Sequence, residues 1–355
     1  MSRPIILCLL LCFLLLPYQL SFAEHNSETE NQFFDYHWGR GLTIPSANLN
    51  IGGYLQASYR QPEKRPDAVM LNDLSLFITW SPHDRLRFFA ELDQQNWFTS
   101  YGNRTFDEAL SVERLFVDYL FSGTTTLRFG KFLTPFGRWN VIHSAPLVWT
   151  TNRPIVTNDF SFAPRANGLL FSHTHLVNEH NLDLSVYLDD STDLDPKPNN
   201  RIVFDKAAGA RINYELTEEL QVGFSYLAYQ TLADLDLPTH HVVGLDAMWQ
   251  NQGYEVLFES LYHTRNDAET NLDEKGLFIQ GVAPIAGQVF AVGRYEYVNS
   301  KVFQNLTNNS VSHIGVGGLA WRPFVPLVVK TEYRFGENNR AIAPSGLFIS
   351  IAMFY

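Results

Sequence analysis

Ionisable residues set at every second position of short apolar segments are the feature of this chain with the widest chemical reach. Lys330, Glu332 and Arg334 alternate with Val329, Thr331, Tyr333 and Phe335. Arg294 and Glu296 alternate with Tyr295 and Tyr297, and Arg85, Arg87, Glu91 and Asp93 with Leu86, Phe88, Ala90 and Leu92. Glu255 and Glu259 stand against Tyr254, Val256, Phe258 and Tyr262. Residues two apart share one face of a β-strand. Each segment therefore carries one greasy face and one charged face. A charged face of this kind either pairs with its neighbours across the sheet or lines water and filters ions through its local field. On the strand segments the candidates for lining a pore are Arg87, Arg114, Arg128, Lys131, Arg294, Glu296, Lys330, Glu332 and Arg334. They stand among carboxylates such as Asp73, Asp118, Asp183 and Asp246, so the expected lining is mixed in sign.

A second group lies in the longest connection, 132–166, which begins Phe132-Leu133-Thr134-Pro135-Phe136-Gly137-Arg138-Trp139-Asn140. Its Pro, Trp and Gly content reads as a packed loop rather than a slack one. Folded into a lumen, it would offer Arg138, His143, Arg153, Asp159 and Arg165 to a passing solute. Folded over the rim, it would offer none of them.

Other chemistry is thin. There is no Gly-x-Ser-x-Gly elbow and no His-Glu-x-x-His. His173 and His175 share a strand face and could pinch a metal, but no further ligand is in view; His240 and His241 are neighbours and point apart. No cofactor is expected. The only cysteines, Cys8 and Cys12, lie in the N-terminal apolar run, and removing it leaves no thiol for a disulfide or a metal.

The elements that must position these groups are strands throughout. Sixteen segments read as strands: 50–60, 71–80, 85–96, 112–121, 124–131, 167–175, 181–189, 204–215, 219–229, 240–250, 253–263, 273–282, 287–298, 311–322, 325–335 and 345–355. Most have the length of about 9–11 residues that a tilted strand needs to cross a bilayer. Short turns alternate with long polar connections. Turns are expected around Ser81–Asp84, Phe121–Thr124, Leu216–Glu218, Asn251–Gln252, Pro284–Ala286 and Pro323–Phe324. The long connections fall at 61–70, 97–111, 132–166, 190–203, 230–239, 264–272, 299–310 and 336–344. That asymmetry, an even strand number and both chain ends on the short-turn side are the signature of an all-β transmembrane antiparallel barrel with short periplasmic turns and long extracellular loops. In hydrocarbon only closure satisfies the backbone. A soluble sandwich would instead pair its apolar faces.

The two ends agree. In 1–23, Arg3, the apolar run Ile5–Leu16, Pro17 and Ser21-Phe22-Ala23 read as a cleaved secretory signal, and the run is too short for a spanning helix. Residues 24–48 read as a periplasmic arm without a clear strand, able to plug the lumen, ahead of a barrel at 49–355. The final residues Leu347, Ile349, Ile351 and Met353 alternate up to a terminal Tyr355, a sheet edge built to be sealed in lipid and read by the barrel-assembly machinery. The formal net charge is −11, and one unit lower without Arg3. An acidic chain is a poor partner for nucleic acid. Phe and Tyr number 27 and 16, enough for aromatic girdles at two interfaces.

Leu127-Arg128-Phe129-Gly130-Lys131-Phe132-Leu133-Thr134-Pro135-Phe136-Gly137 resembles the strand-to-loop motif of porins related to the phosphate-selective O and P type. Gly293-Arg294-Tyr295-Glu296 and Val329–Phe335 resemble later strands of the same family. The resemblance implies a sixteen-stranded outer-membrane barrel, often trimeric. It does not imply phosphate, because the ladder of closely spaced lysines and arginines is missing. The expected function is passive diffusion of small polar or charged solutes. A solute-specific anion channel, a barrel-borne hydrolase and a non-conducting adhesive barrel remain as alternatives.

Overall fold

The structure is a computed structural model that describes residues 34–103, 110–157, 162–190, 194, 202–231, 238–265, 272–300, 310–340 and 342–355. Residues 1–23, read above as a signal, the first part of the expected arm and Asp159 lie outside the described residues.

One continuous antiparallel sheet carries everything else. It opens with a small hairpin, β1 (Asp35–His37) and β2 (Gly41–Ile44). The wall then runs β3 (Leu49–Pro62), β4 (Ala68–His83) and β5 (Leu86–Gln94). Two short strands, β6 (Phe98–Thr99) and β7 (Gly102–Asn103), decorate the next loop. The wall continues through β8 (Leu110–Leu120), β9 (Thr125–Leu133), β10 (Arg165–Val177), β11 (His180–Asp189), β12 (Phe204–Glu215) and β13 (Leu220–Thr231). It ends with β14 (His240–Asn251), β15 (Tyr254–Arg265), β16 (Leu272–Ala286), β17 (Val289–Asn299), β18 (Val311–Phe324), β19 (Leu327–Glu337) and β20 (Gly346–Phe354). β20 returns to β3, with Gly346 opposite Pro62 and Phe354 opposite Tyr54. The sixteen long strands thus close into a barrel, as expected, with no free edge.

Strand phase follows the alternation. In β19, Val328, Lys330, Glu332 and Arg334 are buried inside while Tyr333 and Phe335 are exposed outside. In β15, Glu255, Leu257, Glu259, Leu261 and His263 are inside, and Tyr254, Val256 and Tyr262 outside. Two bulges break the phase to useful effect. One, opposite Glu91 and Leu92, turns Glu113 and Arg114 both inward. The other, opposite Gln56 and Ala57, does the same for Asn72 and Asp73. A bulge adds one residue and re-aims a side chain.

Three expected turns fall inside strands. Pro82 and Pro323 sit in terminal bulges of β4 and β18, Pro284 is the paired residue just before the bulge that ends β16, and the chain reverses just beyond, at 84–85, 325–326 and 287–288. Proline cannot donate to the ladder, and a bulge leaves one residue unpaired, so the last rung tolerates it. Two turns are tight two-residue reversals with both central φ positive: Asn178-Glu179, and Gln252-Gly253, one residue later than expected.

The arm reading needs correcting over 35–44, which forms β1 and β2 rather than strandless chain. Beyond Phe354, β20 no longer covers β3, and β2 takes over that edge: Leu42, Thr43 and Ile44 pair with Ile51, Asn50 and Leu49. Between the two covers, Gly53 exchanges both backbone hydrogen bonds with Tyr355 at 3.0–3.1 Å, and the Tyr355 hydroxyl donates to the Ser75 carbonyl at 2.8 Å. The hairpin therefore finishes the seam where the barrel closes. Deleting residues 35–44 is expected to lower the temperature at which the folded form converts to the slow-migrating unfolded form on unboiled gels. An unchanged conversion temperature would deny the hairpin that role.

Candidate functional site

The loop between β9 and β10 lies inside the barrel over its described residues, 134–157 and 162–164. Glu259 of β15 accepts the backbone N–H groups of Arg138 at 2.8 Å and Trp139 at 2.5 Å. Glu296 of β17 accepts Ile155 N–H at 2.6 Å. Glu332 of β19 accepts Thr151 N–H at 2.8 Å, Asn152 N–H at 3.1 Å and the Asn152 side-chain amide at 2.5 Å. Lys330 donates to the carbonyls of Ala145 and Thr150 at 2.9 and 3.2 Å. Arg294 donates to the Thr150 hydroxyl at 2.5 Å and the Asn152 carbonyl at 3.0 Å. A buried backbone polar group must find a partner, and here the wall's carboxylates and cations supply what a strand ladder supplies elsewhere.

Apolar contacts complete the docking. Phe136, Trp139, Val148, Ile155, Val156 and Phe162 of the loop join wall residues Leu227, Leu257, Leu261 and Phe278 in one buried cluster. Gly244 faces the Phe136 ring and Gly276 faces Val156, close approaches that any larger side chain would block. Gly137, at φ +64°, turns the chain where it meets Glu259.

The sharpest socket is electrostatic. Asp246 of β14 stands directly opposite Glu259 of β15, an arrangement that costs stability when left bare. Arg138 Nε contacts Asp246 at 2.7 Å, and Arg138 also donates to Gln221 at 2.7 Å and to Asn213. Arg211 bonds the same Asp246 through two nitrogens at 2.6 and 2.9 Å. The loop's first arginine thus answers a pair of wall acids.

The docked loop borders two chambers. A one-turn helix, α1 (Trp139–Ile142), stands between them. The outer chamber, on the side of the long loops, holds about 590 Å³. Trp139, His143 and Arg153 line it from the loop side, with Arg60, Arg65, Arg165, Lys330 and Arg334 from the wall and its rim; among the described residues its carboxylates are Asp73, Asp93 and Glu113. Enclosure, and then the nearby Arg153 guanidinium, hold the His143 imidazole well below the usual histidine range. It is neutral at pH 7, and His143→Gln is expected to leave ion preference unchanged at that pH, a readout that reversal potential gives directly. The inner chamber, toward the short turns, holds about 360 Å³ and is lined by Arg114, Arg128, Arg138, Arg211 and one carboxylate, Asp183.

Of the residues singled out in the sequence, the structure brings Arg114, Arg128, Arg138, His143, Arg153, Arg165, Lys330 and Arg334 to the chambers. It uses Arg294, Glu296 and Glu332 differently, as buried posts for the loop. Arg87 is exposed at the turn end of β5 and borders neither chamber. Lys131 is 1% exposed and borders neither chamber. Asp246 and Glu259 are legible in the sequence as inward charges but not as a socket, because that requires the register between β14 and β15. Arg60 was missed.

The cross-sheet ion pairs share one polarity. Arg128 meets Asp118 at 2.7 Å with 28% and 4% of the two side chains exposed. Arg114 and Glu91 form a pair exposed by 21% and 0%, and Arg211 meets Asp246 at 2.6 Å with 11% and 1% exposed. Each carboxylate lies back against the wall and each guanidinium faces the lumen. Arg114 and Arg128 also lie over Phe89 and Phe116, at 4.6 and 3.6 Å from the ring centres, which favours holding a cation forward.

The enzyme alternatives find little. His173 and His175 share an outward face with ring centres 6.2 Å apart, and His173 bonds Thr125. No group of three or more metal-ligating side chains occurs among the described residues. Buried His263 links His240 at 2.8 Å to Glu274 at 3.0 Å, and Ser300 donates to Glu274. The Ser300 hydroxyl thus meets a carboxylate rather than an imidazole, which is not the nucleophile–base order of a serine hydrolase.

No protein-family profile matches the chain. A protein of Aquifex aeolicus (strain VF5), itself uncharacterised, is 26% identical over 236 residues, 62% of this chain and 54% of that one, so the chain spans about half the length of that relative. Solved structures are similar over nearly the whole barrel. An anion-selective porin from Comamonas acidovorans is 12% identical, with 87% of this chain and all of that one covered and a TM-score of 0.61. OmpF of Salmonella typhi, in complex with daunomycin, is 10% identical over 87% and 97% of the two chains, TM-score 0.62. OmpT of Vibrio cholerae, in a trimer form, is 10% identical over 86% and 99%, TM-score 0.56. The architecture is that of the outer-membrane porins, a closed antiparallel barrel of sixteen strands.

Proposed function

We propose that this protein is an outer-membrane porin that lets small polar solutes diffuse passively, with a preference for anions. The observation that carries the reading is the loop after β9, docked in the lumen over residues 134–157 and 162–164 between two chambers whose described lining is richer in guanidinium than in carboxylate groups. Among the described residues, six cationic side chains line the outer chamber against three carboxylates, and four arginines line the inner chamber against one. Ion preference at a constriction follows the local field and not net charge, so the acidic chain and the cationic lining are compatible. The similarity to an anion-selective porin points the same way. The exterior, with Phe129, Leu169, Phe171, Leu188 and Tyr295 exposed, suits hydrocarbon bounded by aromatic girdles.

Placement in a bacterial outer membrane, export by the 1–23 signal, recognition of Leu347–Tyr355 by the assembly machinery, and a homotrimer belong to the same reading. The finer resemblance to phosphate-selective porins is not favoured, because Asp73, Asp93 and Glu113 interrupt the outer cationic lining. The test is conductance of the refolded protein in a planar bilayer under a salt gradient. Uniform steps with a reversal potential on the anion side are expected, in groups of three for a trimer. A folded, heat-modifiable barrel that never conducts would overturn the porin reading, and a cation-side potential would overturn the preference.

A further inference from the structure

The inner chamber differs from the outer in its apolar side. Val141 of α1 is half-exposed there, beside Ile142, Pro135, Leu133 and Leu170. An apolar side chain held forward into a watery space gains nothing from the water, and gains about 25 cal/mol per Å² when another apolar surface covers it. Across the same chamber stand Arg114 and Arg128, the two most exposed guanidiniums among the ion pairs described above. Their carboxylate partners occupy only part of each fork. Arg128 spends Nε and one terminal nitrogen on Asp118, and Arg114 bonds Glu91 through Nε. A guanidinium presents five donors in a planar fork matched to a carboxylate.

We propose that the inner chamber is a binding site for amphiphilic organic monoanions, a carboxylate carried on an aromatic or branched-aliphatic body. The carboxylate lies at Arg128 and Arg114, and the body covers Val141 and Ile142. Its volume suits a small molecule. Inorganic phosphate and acetate satisfy the arginines but leave the apolar side wet. The outer chamber also meets apolar side chains, but Trp139, Val148, Ile155 and Phe348 there are each more than nine-tenths buried, so the discrimination belongs to the inner one. The inference deepens the porin reading and rests on it for access to the site.

Binding is read apart from conduction. Benzoate, acetate and inorganic phosphate are titrated calorimetrically into the full-length barrel in lipid nanodiscs. Benzoate is expected to bind about tenfold or more tightly than acetate, the ring burial accounting for the difference. Val141→Ser with Ile142→Ser should remove the benzoate advantage, and Arg128→Gln should weaken both carboxylates. Equal affinity for benzoate and acetate, a benzoate advantage that survives the double serine variant, or no benzoate binding would each overturn the proposal. Bilayer conductance on the same preparation separates the two readings: conduction without benzoate preference sinks only this site, and benzoate binding without conduction sinks only the porin.

Discussion

Replacing Glu259, Glu296 and Glu332 together by Ala is expected to free the lumenal loop and raise single-channel conductance several-fold, with a noisier open level. Six loop donors end on these three carboxylates: the N–H groups of Arg138, Trp139, Thr151, Asn152 and Ile155, and the Asn152 amide. Hydrogen bonds to charged groups contribute about 1.5–3 kcal/mol each, and a donor left buried without a partner costs about 1–3 kcal/mol. The loss also strands the cations opposite. Arg138 keeps Asp246, but Arg294 loses Glu296, its 2.8 Å partner, and a buried charge stripped of its partner costs about 3–5 kcal/mol. The barrel should survive, since its strands are held by backbone ladders that none of the three side chains joins. The unboiled protein should still migrate as a folded form while protease gains access near Val141–Ile155. Unchanged conductance in a folded triple variant would mean that the loop does not limit the pore. The Glu→Gln triple should fall between, because it keeps an acceptor oxygen and loses the charge.

Those three residues also show where sequence reading stops. Their inward phase was plain from alternation, because a wall that separates an apolar exterior from a polar interior has to alternate. The same constraint makes most of the sixteen strands legible; 167–175 and glycine-rich 311–322 (Gly315, Gly317 and Gly318) alternate poorly, because missing side chains blur the pattern in the latter. Their role was not plain. Glu259 and Glu332 meet loop atoms 120–181 positions away in sequence, and periodicity says nothing about such partners. The 35–44 hairpin was missed because strands of three and four residues between Gly39, Gly41 and Asn48 carry no period. Proline marks a break in the ladder and does not distinguish a bulge from the reversal beyond it, so composition places three of the turns early. The loop itself was legible because Pro, Gly and Trp in one connection signal packing. Its burial inside rather than over the rim follows from the Asp246–Glu259 opposition, which exists only once two strands are in register.

Neutralising the lumen-facing arginines of the inner chamber is expected to carry the reversal potential from the anion side to the cation side. Arg114→Gln with Arg128→Gln removes two positive charges and, more to the point, uncovers Glu91 and Asp118, which now lie 0% and 4% exposed behind them. The face a solute meets then changes sign rather than merely fading. A unit charge at contact distance is worth about 1 kcal/mol in water and more in a confined, lower-dielectric lumen, so each substitution should shift the permeability ratio several-fold. High salt should blunt the change, with a screening length of about 10 Å at 0.1 M. The converse variant, Asp118→Asn, leaves the guanidinium forward and unopposed and should deepen anion preference. Arg138→Glu is a different experiment, despite lying at the start of the same loop. It would set a third carboxylate beside Asp246 and Glu259, and its expected effect is an undocked loop and a larger conductance, with selectivity changing only as a consequence. Opposite shifts from the Arg128 and Asp118 variants, at unchanged step size, would identify the polarity of the wall's ion pairs as the source of the channel's preference. Shifts of the same sign, or none, would place that source elsewhere in the lumen.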